Sequence, residues 1–130
     1  MDIQRYPLCW LDGKPRTAAP QFSRFRITFV AARNAALDEI FAMGGKDIII
    51  SSNIETERDG LPYPEGAAPE DGGVAIYFML NDKQYCFACD QWKGISDNLY
   101  AIAKTVHALR GIERWMGQES MNQVLSPFQI

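Results

Sequence analysis

Between Gly94 and Gly117 the chain reads GISDNLYAIAKTVHALRGIERWMG, and no other stretch constrains the fold as strongly. Apolar residues fall at Ile95, Leu99, Ile102, Val106, Leu109 and Ile112, three or four apart. That spacing lines one face of an α-helix. Ser96 or Asp97 is placed to cap the first turn, and Gly117 to end the last in the left-handed conformation. The opposite face carries Lys104, His107, Arg110 and Arg114 as a basic stripe. Such a stripe is either a solvated face whose cations suit the helix C-terminus, or a contact surface for an acidic partner or phosphates. Gly111 lies within it and costs the helix roughly 1 kcal/mol against Ala. A helix accepts that cost where another backbone must come close, or by chance.

The whole chain has 130 residues, which points to a single domain spanning 1–130. Hydrophobic residues make up 47% and charged residues 22%, a globular rather than disordered balance. A net charge of −3 argues against wholesale coating of nucleic acid, which favours basic domains, but leaves room for a local basic patch. Cations cluster early, at Arg5, Lys14, Arg16, Arg24, Arg26 and Arg33. Anions cluster at Glu55, Glu57, Asp59, Glu65, Glu70 and Asp71. The two segments either attract each other within the fold or form surfaces of opposite sign. The opening MDIQRYPL has no signal-peptide pattern, and no apolar run approaches the ~20 residues of a membrane span. Three cysteines, an odd number, fit a reducing interior. The expected location is the cytoplasm, away from membranes.

Residues 1–21 are rich in Pro and Gly and read as an extended arm, pinned by Tyr6, Leu8, Trp10 and Leu11. Alternation of Phe25, Ile27 and Phe29 with Arg24, Arg26 and Thr28 predicts a strand over 24–29. Helical spacing then runs from Ala31 to Met43, with Ala36, Leu37, Ile40 and Phe41 facing inward, and Gly44-Gly45 stops it. The isoleucines at 48–50 predict a buried strand over 47–54. Residues 55–73 form a long acidic loop, of the length that is often functional or mobile. Val74–Leu80 and Gln84–Asp90 form a hairpin with Asn81-Asp82 as its turn, and 119–125 adds a short helical turn after the long helix. The expected fold is α+β: a mainly antiparallel sheet of about four strands with two helices on one face, in the order β-α-β-β-β-α.

Catalytic signals are sparse. Cys86 and Cys89 form C-x-x-C, but three apart on a strand they point to opposite faces. Buried small residues explain them better than a metal site recruiting Cys9 and His107, or than redox work. The chain has no G-x-S-x-G, no G-x-x-x-x-G-K and no G-x-G-x-x-G. Asp90, Asp97, Glu57 and Asp59 are carboxylates that could converge on Mg²⁺ for phosphodiester cleavage. The string S-D-N-L at 96–99 is locally similar to the D-x-D-N-L of small phage Holliday-junction resolvases, with Ser96 where that pattern has an aspartate. No cofactor and no metal are expected.

Several runs together resemble one family. They are Y-P-L-x-W at 6–10, P-R-T at 15–17, R-D-G-L-P at 58–62 and G-V-A-I-Y-F at 73–78. They continue with A-C-D-Q-W at 88–92, D-N-L-Y-A-I-A-K at 97–104 and A-L-R-G-I-E-R-W at 108–115. The resemblance is to bacterial and prophage proteins, many of which carry a C-terminal J-domain and are labelled molecular chaperones. It covers the part that precedes the J-domain. No H-P-D tripeptide, the J-domain's stimulating motif, occurs in these residues, so chaperone stimulation does not carry over. The resemblance implies a small phage or mobile-element protein with a recognition role. The leading expectation is a non-enzymatic protein-binding module, an adaptor or inhibitor of host or phage machinery. Its acidic surface would be Glu55, Glu57, Asp59, Glu65, Glu70 and Asp71, and its basic surface Lys104, His107, Arg110 and Arg114. The alternatives are nucleic-acid binding through the basic stripe, and a metal-dependent, structure-specific nuclease. Trp92 and Trp115 are expected to pack over the start and end of the long helix.

Overall fold

A computed structural model describes residues 2–23, 25–56, 60–61 and 68–130. The fold is α+β, with helix α1 (Phe29–Met43) followed by strands β1 (Lys46–Ser52), β2 (Val74–Leu80) and β3 (Lys83–Cys89). Helix α2 (Ile95–Met116), helix α3 (Gln118–Leu125) and a 3-10 turn (Ser126–Phe128) complete it. The order is thus α-β-β-β-α-α, with three strands where about four were expected.

The missing strand is residues 24–29. The alternation there is real: Phe25, Ile27 and Phe29 are half-buried, while Arg26 and Thr28 are exposed. Phe29 nevertheless opens α1, and the described residues before it, 25–28, lie outside the three-stranded sheet. Instead Phe25 packs edge-on against Trp92 and Tyr100, with ring centroids 5.6 and 5.2 Å away. Side-chain alternation follows from extended backbone, and sheet membership needs a neighbour as well. Helix α1 starts earlier than expected because the Thr28 hydroxyl accepts the Ala31 N–H at 3.2 Å and caps it. Gly44, at φ 103°, closes it by donating to the Ile40 and Phe41 carbonyls.

The sheet is antiparallel in the order β1-β2-β3, with Ile50, Ile76 and Phe87 in register across it. Asn81 and Asp82 both take positive φ, 51° and 62°, so the turn chemistry works without a glycine. One face of the sheet buries Ile50, Val74, Ile76, Phe78, Tyr85 and Phe87 against α1 and α2. The other face presents Ala75, Tyr77 and Cys86, and the N-terminal arm covers it with Ile3, Leu8, Cys9 and Leu11. The arm is stitched down by polar contacts as well. The Tyr77 hydroxyl donates to the Cys9 carbonyl at 2.8 Å, and the Cys9 N–H donates to the Ser51 hydroxyl at 2.7 Å. Strand β2 is therefore covered on both faces, which accounts for its uninterrupted apolar run VAIYFML.

Helices α1 and α2 run side by side in the same direction, as their successive contacts show. Phe25, just before α1, meets Tyr100 near the start of α2. Further along, Glu39 meets His107 and Arg110. The expected inward face of α1 is correct for Ala36 and Ile40 and partly for Leu37, but Phe41 is 76% exposed. The buried stripe is centred on Ala32, Ala36, Ile40 and Met43, and Phe41 lies about 100° round from Ile40. The residues at 119–125 belong to a two-turn helix whose Met121 and Leu125 enter the core. No helix among the described residues is long and apolar enough to cross a membrane.

Candidate functional site

The long helix has the expected core face: Ile95, Leu99, Ile102, Val106 and Leu109 are buried. Its ends differ from expectation. The N-cap is Gly94, and neither Ser96 nor Asp97 caps by its side chain. Both lie inside the first turn, where Asp97 still suits the helix dipole. Gly117 ends the helix with a positive φ of 96°, but at ψ 167° it is not in the left-handed helical conformation expected of it.

The basic residues do not form a bare stripe opposite the core. They follow the flank that faces α1, and a single carboxylate crosses to meet them. Glu39 Oε2 accepts from Arg110 Nη1 at 2.8 Å, and Glu39 Oε1 lies 3.1 Å from His107 Nδ1. Burial alone would raise the Glu39 pKa, but the hydrogen bonds from Arg110 and His107 outweigh it and lower it. Lys104 and Arg114 are exposed at either end of this pair. The Lys104 ammonium sits 5.2 Å from the Tyr100 ring centre. Glu39 was not among the residues singled out in the sequence. Its signal is the four-residue step from Ala35 to Glu39 along α1, readable only once the two helices are known to be neighbours.

Between the helices lies a groove of about 410 Å³, lined by Ala35, Ala103, Ala108 and Tyr100 with Glu39, Lys104 and His107. Further along the outer side of α2 comes Gly111. A Cβ built there meets no atom within 4 Å, so packing inside this chain does not require the glycine. Gly111→Ala is therefore expected to raise stability by about 0.5–1 kcal/mol, read as a higher urea midpoint. An unchanged or lower midpoint would show that the glycine serves the fold.

One turn beyond Gly111 stand Trp115 and Met116, exposed by 82% and 72%. Trp115 thus does not pack over the helix end. At the helix start the Trp92 backbone N–H and carbonyl both bond to the Asn98 side chain, and the half-buried Trp92 ring meets Phe25 edge-on.

The acidic set divides. Glu57, Asp59 and Glu65 lie outside the described residues, while Glu55 and Glu70 are exposed. Asp71 is committed within the fold: its Oδ1 accepts from Arg16 Nη2 at 2.6 Å and from the Gly73 N–H at 3.0 Å. Arg16 also donates through Nε to Asp90 at 2.7 Å, and Thr17 donates both its N–H and its hydroxyl to Asp90. Here the early cations and the acidic segment attract each other inside the domain.

Asp90 is buried in that network at the arm, and Asp97 sits on α2. Among the described residues no group of three His, Cys, Asp or Glu side chains is placed to hold a metal ion. Cys86 and Cys89 do face opposite sides of β3, one in the arm cluster and one against the helices. Burial pushes the Cys86 thiol up to about 12 and raises that of Cys89; Cys86 is a small buried side chain and Cys89 a half-buried one. Comparisons with family models, curated proteins and solved structures find no match to this chain.

Proposed function

We propose that the chain is a non-enzymatic protein-binding module of phage or mobile-element origin, an adaptor or inhibitor that engages a host or phage protein. The observation that carries the reading is the apolar end of α2. Trp115 and Met116 stand 82% and 72% exposed beside Arg114. Trp and Arg are the residues most enriched at binding hot spots, and Met adapts to varied partners.

A tagged chain is expected to capture a stoichiometric protein from bacterial host lysate, and the capture should survive nuclease treatment. Trp115→Ala should weaken it by roughly tenfold or more while leaving the thermal midpoint in place. A variant that captures as well as the parent would remove the support.

One observation favours nucleic-acid binding as the second reading. Cations lie over aromatic rings at several points, among them Lys93, 4.3 Å from the Phe22 ring centre, and Lys104 over Tyr100. Single-stranded nucleic acid is held by such mixtures of stacking surface and charge. That reading requires binding that falls steeply with salt and a capture that disappears after nuclease.

A further inference from the structure

We infer that the groove between α1 and α2 is the docking site for an acidic amphipathic helix of the partner. This rests on the protein-binding reading and specifies its chemistry. The groove is lined by methyl groups, from half-buried Ala35, buried Ala103 and exposed Ala108, together with the Tyr100 ring. Small lining residues let a second backbone approach to the 8–10 Å typical of packed helices. Gly111 continues the same low surface, with no neighbour from this chain within 4 Å of the position a Cβ would occupy. From Tyr100 to Trp115 the helix spans roughly 22 Å, about four turns, enough to seat a short helix along its length.

The rim sets the charge of the occupant. Lys104 and Arg114 are exposed, and His107 is 67% exposed. The one carboxylate lining the groove, Glu39, already bonds to both His107 and Arg110. A second copy docking by the same face would set Lys104 and Arg114 against their own equivalents, which like-charge repulsion disfavours. An acidic helix has the complementary pattern. Its apolar positions, three and four apart, would lie on the alanines and Gly111 and reach Trp115, with flanking carboxylates opposite Lys104 and Arg114.

The test uses the full chain and a labelled synthetic peptide of about 18 residues, with Leu on one helical face and Glu on the other. Its counterpart carries Lys in place of Glu, and an oligo-dT strand is the third probe. Fluorescence anisotropy at low ionic strength should show saturable binding of the Glu peptide and none of the Lys peptide. Lys104→Glu combined with Arg114→Glu should weaken the Glu peptide by roughly tenfold or more, since complementary charge is removed on both sides of the groove. Ala108→Trp, a substitution at an exposed position, should block it by filling the groove. Amide shifts on titration should map to Ala35, Ala103, Lys104 and Ala108.

Equal binding of the Lys peptide, or undiminished binding to Ala108→Trp, overturns the inference. So does tighter binding of oligo-dT that the charge reversals abolish. If the Glu peptide fails while lysate capture still depends on Trp115, the groove assignment falls and the binding function stands. If lysate capture is independent of Trp115 while Ala108→Trp blocks the Glu peptide, the groove assignment stands and the binding function loses the support that Trp115 gave it.

Discussion

Asn98→Ala is expected to cost about 3–5 kcal/mol, seen as a lowered urea midpoint with an unchanged slope. The Asn98 side chain is fully buried at the start of α2. Its amide nitrogen donates to the Gly72 carbonyl at 2.8 Å and to the Trp92 carbonyl at 2.9 Å. Its oxygen accepts the Trp92 N–H at 3.0 Å and lies 3.3 Å from the Cys89 sulfur. One side chain therefore ties together the segment entering β2, the end of β3 and the first turn of α2. Alanine would leave those backbone groups buried without partners and open a cavity. Asn98→Asp is expected to be no milder, because a carboxylate cannot donate and would face two carbonyl oxygens. The packing is equally intolerant at Gly72, where a Cβ would overlap the Lys93 carbonyl oxygen. A loss under roughly 1 kcal/mol for Asn98→Ala would refute this account of how the strands meet the helix.

Asp90→Ala should cost about 2–4 kcal/mol and release the arm. Asp90 is buried and takes charge-assisted hydrogen bonds from Arg16 at 2.7 Å and from the Thr17 N–H at 2.9 Å. Burial alone would raise its pKa, but the hydrogen bonds from Thr17 and Arg16 prevail and hold it below the ordinary 3.8. Asp71 is depressed likewise: burial opposes, while Arg16 and the Gly73 N–H prevail. A depressed carboxylate adds stability that is fully present above the ordinary value and is lost as pH falls through the native value. The parent protein should therefore lose stability below about pH 4, and Asp90→Ala should show a shallower acid limb. Limited trypsin digestion gives a second readout. Cleavage after Arg16 should be slow in the parent, where the guanidinium is held by two carboxylates, and fast in the variant. Equal digestion rates would show that the arm is held by its apolar contacts alone.

Much of the architecture was legible because it rests on local patterns. The three- and four-residue repeat of α2, the β2–β3 hairpin and the glycine stops all depend on neighbours in sequence. What escaped were properties decided by distant partners. The alternation over 24–29 matches the burial of Phe25 and Ile27, but nothing local says whether a strand lies alongside, and Phe29 already opens α1. Trp115 looked like a packing residue because an aromatic ring at a helix end commonly finds a neighbour, yet it stands 82% exposed. The basic stripe was visible by spacing, while its partner Glu39 came from a helix 68 and 71 residues away in sequence. Asn98 and Asp90 were in view as part of a recurrent run and as a carboxylate. Their work inside the fold became readable only with the three segments that converge on them.

The arm that covers the back of the sheet sets an order on how the domain is assembled. Its contacts reach across 68 residues from Cys9 to Tyr77 and 74 from Arg16 to Asp90. During synthesis the arm emerges before the sheet, yet the surface it must lie on is completed only with β3. Such long-range pairing is entropically late and slow. Until it forms, Ala75, Tyr77 and Cys86 face solvent on a finished hairpin. The nascent chain thus passes through a stage with one sheet face bare, open to capture by a chaperone or by another copy.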